Sequence, residues 1–220
     1  MIVWLLWLLA MLLLGMALFL LWPCWSKWRG QRRLEQDIIA LGEQHLRDVM
    51  LEDGMGGYSY FEWLLLTEQG VCLLISKGQQ GNIFAGERLE KWSQVVGSRS
   101  YYFTNPLYEL EPLSATLRYH LPGTPIQGLV LFSGQCFFPK GQPDAVLTRE
   151  QLPGERVPGS IPVKLQQAWQ RLEQRARPVD PDSEAHLLPT RDSSANKRMG
   201  LAVAVTVLAT LVGGMALWLG

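Results

Sequence analysis

An α/β layered domain held between two apolar ends is what this sequence predicts, and three observations carry the prediction. Charge is absent from both ends, residues 2–22 and 200–220. Two long apolar strand-like runs, Tyr58 to Leu66 and Val71 to Ser76, are joined by the turn signal Thr-Glu-Gln-Gly. Helical periodicity stands before and after them, in the order helix, three strands, helix, strand. That alternation belongs to layered α/β domains, and roughly 120–140 residues suffice for a core.

The first apolar run is about as long as the ~20 residues a helix needs to cross the hydrocarbon core of a bilayer. It lacks the charged start and small-x-small cleavage site of a signal peptide. Residues 1–22 are therefore expected as a transmembrane helix, bracketed by Trp4, Trp7, Trp22, Trp25 and Trp28 as interfacial anchors. Residues 23–33 form a basic juxtamembrane segment with Lys27, Arg29, Arg32 and Arg33. A second span is expected over 200–220, preceded by Arg191, Lys197 and Arg198. Positive flanks stay on the cytoplasmic side. An integral protein of a plasma or bacterial inner membrane follows, with its central domain cytoplasmic and both termini outside. Small residues in the second span, Ala209, Gly213 and Gly214, suit close helix packing and self-association there.

Between the spans, "LEQDIIALGEQHLRDVM" puts Leu34, Ile38, Leu41, Leu46 and Val49 at helical spacing. A short strand is expected at Ile83-Phe84, and another in "SRSYYFTNP", closed by Asn105-Pro106. "PLYELEPLSATLRYHL" reads as a helix starting near Pro112. "IQGLVLFSG" is the best central strand after the hairpin. Thr148 and Gln151 make a capping-box pattern after a short strand. Residues 160–177 form an amphipathic helix with Leu165, Ala168, Trp169, Leu172 and Ala176 on one side, and 178–199 a polar linker.

The whole chain balances 20 Lys/Arg against 20 Asp/Glu. From Leu34 to Thr190 there are 13 against 19, a net of −6, which argues against a strong grip on duplex nucleic acid. The three cysteines, Cys24, Cys72 and Cys136, form no CxxC pair and fit free thiols in a reducing compartment. His45, His120 and His186 lack metal-ligand spacing. There is no Walker loop, GxGxxG or serine-hydrolase elbow.

"LGEQHL", Glu62, "GVCLLISKGQQGNIFAG", Trp92, "NPLYE" and "GLVLF" follow one another in an order and spacing that resemble the NERD (nuclease-related) domain. That family is a branch of the restriction-endonuclease-like PD-(D/E)XK superfamily, and the likeness covers residues 42–138, within a NERD-like domain of residues 34–159. It implies a mixed sheet flanked by helices and a site built from Glu43, Glu62 and Lys77, with Glu62 a metal ligand. In such nucleases carboxylates place Mg²⁺, which takes oxygen ligands, and the metal and lysine stabilise charge on the phosphate. The acid expected two residues before Lys77 is Ile75 here, and the family's Gln after Asn-Pro is Glu109. Glu109 or Glu87 could serve as a migrated acid. The expectation is a degenerate, membrane-tethered binding or scaffold module with a protein partner at the membrane. The alternative is an active Mg²⁺-dependent nuclease acting on DNA or RNA.

Overall fold

The computed structural model describes residues 29–155 and 159–180, with isolated positions 4, 11, 12, 15, 16, 19 and 22 in the first apolar run. The chain divides into two units, Met1–Arg33 with Pro189–Gly220, and Leu34–Leu188. In the first, the side chains described (Trp4, Met11, Leu12, Met16, Phe19 and Trp22) are all exposed. Among the described residues no helix is long and apolar enough to cross a membrane. The second expected span, 200–220, lies outside the described residues, as do most of the first and most of the 178–199 linker.

The second unit is α/β with a mixed sheet. Among the described residues ten strands succeed one another with three helices: β1 (Gln44–Glu52), β2 (Tyr58–Thr67), β3 (Gly70–Lys77), β4 (Gly81–Phe84), β5 (Lys91–Val96), β6 (Arg99–Thr104), α2 (Leu107–His120), β7 (Ile126–Phe132), β8 (Cys136–Phe137), β9 (Val146–Thr148), α3 (Val163–Arg175) and β10 (Arg177–Pro178), after α1 (residues 29–39), of which residues 34–39 belong to this unit. A six-stranded sheet runs β10-β1-β2-β3-β7-β9, antiparallel except where β7 lies parallel to β3 and β9. A four-stranded sheet runs β6-β5-β4-β8.

β3 explains the architecture. Its first six residues are all buried, because Val71, Leu73 and Ile75 enter one core while Cys72 and Leu74 enter another. A strand covered on both faces loses the alternation of a half-exposed one and reads as a continuous apolar run. On the first face lie Leu110 and Leu117 of α2 and Ala168, Trp169 and Leu172 of α3. On the second lie Ile38 of α1 and Leu152. The smaller sheet adds Ile83, Trp92 and Cys136 to the first core. The β2–β3 turn is tight because Gly70 packs on the Pro125 carbonyl, where any side chain would collide.

Three expectations need correction. The helical period does not run from Leu34 to Val49: the helix stops at residue 39, and Gln44–Glu52 is a strand. Pairing along eight rungs with β2 outweighs the periodicity of an amphipathic segment, and Gly42 sits too close to the Leu66 carbonyl for a bulkier residue. α2 starts five residues before Pro112, at Leu107, because Asn105 Oδ1 accepts the Leu107 N–H at 3.0 Å. β5 was not expected at all; its Trp92 is buried and donates through Nε1 to Gly86 O. The capping box on Thr148 and Gln151 is present.

β1 and β2 share one irregularity. Their ladder pairs Arg47 with Trp63 and Val49 with Phe61, and skips the rung of Asp48 and Glu62. Asp48 is the one described non-glycine residue with positive φ, at 51°. Before that rung Leu46, Leu64 and Leu66 face the first core; beyond it Val49, Leu51 and Phe61 do. Both strands thus shift phase by one residue at the same place and keep the same side inward.

Candidate functional site

Lys77 ends β3, where the Ser133 N–H holds its carbonyl at 2.9 Å after β7. Across from it α2 begins, and Glu109 stands in the first turn, where a carboxylate suits the positive end of the helix dipole. Lys77 Nζ reaches Glu109 Oε1 at 2.7 Å and Oε2 at 2.9 Å, so one ammonium engages both carboxylate oxygens. The pair is partly open to water, with side-chain exposures of 25% and 49%.

Asn105 fixes this geometry. It is fully buried, and its Nδ2 donates to Leu89 O at 2.8 Å and Glu87 O at 3.1 Å, with a longer contact to Gly86 O. Its own N–H donates to Glu90 O, and its Oδ1 caps α2. One amide therefore ties the 86–90 loop to the start of the helix that carries Glu109. The Asn-Pro pair before a helical pattern was the available signal for such a cap.

Glu62 sits where the β2–β3 ladder ends, one residue beyond the Trp63–Leu74 rung. Its Oε2 accepts the Ser76 N–H at 2.7 Å and its Oε1 the Ser76 hydroxyl. The carboxylate stands in for the strand carbonyl that β2 no longer supplies. Nothing in the sequence singled out Ser76. Beside Glu62, the Tyr60 hydroxyl donates to Asp48 Oδ1 at 2.5 Å; burial first, then that bond, pushes the phenol well above its ordinary range.

The other expected members do not join this group. Ile75 is 7% exposed and belongs to the first core. Glu43 is not on an opening helix but at the bend before β1, where its N–H donates to Leu66 O and its Oε1 accepts from Gly159 N at 3.2 Å. Leu66 belongs to the end of β2 beside the Gly70 turn, while Lys77 is seven residues along β3, roughly 23 Å away at ~3.3 Å per residue. Glu43 instead lines a cleft of about 370 Å³ with Gly42, Glu68, Cys72 and Gly159. Glu87 is an exposed loop residue whose carbonyl, rather than its carboxylate, is engaged.

Mg²⁺ requires several oxygen ligands in near-octahedral array. Here Glu62 is turned onto Ser76, Glu109 onto Lys77, and residue 75 is a hydrocarbon. The donor set does not fit the ion, and among the described residues no group of three or more His, Cys, Asp or Glu could hold a metal. His120 is buried with Nε2 2.7 Å from Glu52 O, and His45 stands beside Trp63. Cys72 and Cys136 are buried free thiols; Cys24 and His186 lie outside the described residues. No family model, curated protein or solved structure matches this chain.

Proposed function

We propose that this chain is a membrane-anchored protein whose central, restriction-endonuclease-like NERD domain faces the cytoplasm as a binding or scaffold module, its nuclease site degenerate. The observation that carries the reading is the closure of Lys77 by Glu109 beside a buried Ile75. A lysine that must meet a phosphoryl oxygen is here held by both oxygens of a carboxylate, and the residue that would ligate metal packs in the core. The uncharged runs 2–22 and 200–220, with their basic inner flanks, support the two spans and the orientation.

The other reading, a Mg²⁺-dependent nuclease, draws on Lys77 keeping an acid within 3 Å of its ammonium. The full chain in detergent, given single- and double-stranded DNA and RNA with Mg²⁺ or Mn²⁺, separates them. We expect no cleavage and no heat of Mg²⁺ binding by calorimetry. Cleavage that disappears in both Glu62→Ala and Lys77→Ala would establish the nuclease instead.

A further inference from the structure

β6 ends the four-stranded sheet, hydrogen-bonded among the described residues to β5 alone. An edge strand offers a row of N–H and C=O groups to any passing chain, and proteins usually blunt such edges with proline, lysine, a bulge or an inward charge. Arg-Ser-Tyr-Tyr-Phe-Thr carries a single charge, at its turn end, and no proline. It pairs with β5 over six uninterrupted rungs, so it holds no bulge. Tyr101 is 47% exposed and Tyr102 75%. Aromatic residues of high strand propensity thus stand exposed on an edge that no described strand covers.

We propose that β6 is a self-pairing edge: two copies of this chain join β6 to β6, antiparallel, about a two-fold axis through Tyr102, to give one continuous sheet. The register follows from symmetry. A two-fold axis perpendicular to the sheet keeps each face on its own side, so opposed residues must point the same way. Centred on Tyr102, the axis sets Tyr102 against Tyr102 of the second copy, Tyr101 against Phe103, and Ser100 against Thr104. Aromatic–aromatic and hydroxyl pairs placed directly opposite one another stabilise an antiparallel ladder. Arg99 falls opposite Asn105 and meets no second arginine. Centring on Tyr101 would set Ser100 against Tyr102 and Arg99 against Phe103, which forfeits both matched pairs. The sequence of β6 is self-complementary in the first register and not in the second.

A six-residue pairing buries less than the ~1,200 Å² of a standard interface, so the dimer is weak in dilute solution. Confinement to a bilayer would raise its effective concentration; that clause rests on the membrane reading above, and the pairing itself does not.

Cross-linking tests it in the full chain reconstituted in lipid, with Cys24→Ser as background; Cys72 and Cys136 are buried. Ser100→Cys and Thr104→Cys protein, mixed and oxidised, is expected to form a covalent heterodimer, while neither variant links to itself, since like positions lie about 13 Å apart. Tyr102→Lys, which opposes two ammonium groups across the axis, is expected to weaken the dimer about tenfold or more by light scattering. Phe137→Cys, 60% exposed on β8 at the far edge, is the control. A chain that stays monomeric and unlinked overturns the proposal. So does a dimer that Tyr102→Lys leaves unchanged, or one that Phe137→Cys traps equally well. A 100–104 link in a chain that washes off the lipid keeps the pairing and sinks the membrane reading alone.

Discussion

Glu62 and Ile75 give the expected nuclease residues their structural meaning. Replacing Glu62 by alanine removes the acceptor of the Ser76 N–H and hydroxyl in a half-buried setting. Hydrogen bonds to a charged group contribute about 1.5–3 kcal/mol, and partial exposure brings the expected loss to about 1–2 kcal/mol. Glu62→Gln, which keeps one acceptor oxygen for the N–H, is expected to recover roughly half of it. Urea denaturation of the two variants reads this directly, and a neutral Glu62→Ala would mean that the strand end needs no such cap. Lys77 and Glu62 were visible in the sequence as residue types at a suggestive spacing. What each one touches was not, because Ser76 and Glu109 reach them from 14 and 32 positions away.

At the scale of elements, Asn105 holds together a loop, a strand end and a helix start. Asn105→Ala leaves the carbonyls of Glu87 and Leu89 without their donor and α2 without its cap. An expected cost of about 3 kcal/mol follows from the loss of several part-buried hydrogen bonds at once from one fully buried side chain. Faster amide exchange confined to residues 86–110 would show that the loss is local to this junction. The strands β2, β3 and β7 were legible because buried aliphatic runs leave little choice. β1 was not: its apolar residues fall three and four apart, as on a helix, because the phase shift at Asp48 interrupts their alternation by two. α2 was legible as a helix, but Pro112 gave a false start, since the true first turn is secured by a side chain outside it.

For the whole molecule, the layered α/β character followed from the order of helical and strand patterns, while the split into two sheets did not. That split rests on short strands, β4, β8 and β9, of two to four residues, whose pairing is decided by distant neighbours. Both cores also close around a thiol. Burial pushes Cys72 up to about 12; burial and then the Glu150 charge push Cys136 up to about 11. Both folded values lie above that of an exposed thiol, so the fold favours the protonated form. Its contribution is complete below about pH 8.5 and declines as pH rises toward 11–12. Denaturation midpoints are expected to fall between pH 9 and 11, and a thiol reagent at pH 8 to label Cys72 and Cys136 only after unfolding. The skipped rung of Asp48 and Glu62 bears on how such a gene can drift. Loss of either codon leaves one strand a residue longer than its neighbour and bends the ribbon. Loss of both restores strict alternation and sends every downstream side chain to the side it already occupies. A double deletion therefore keeps the sidedness of the ribbon and gives up the bonds that Asp48 and Glu62 make to Tyr60, Val179 and Ser76, which ties positions 48 and 62 together through one rung although they stand 14 apart in the chain.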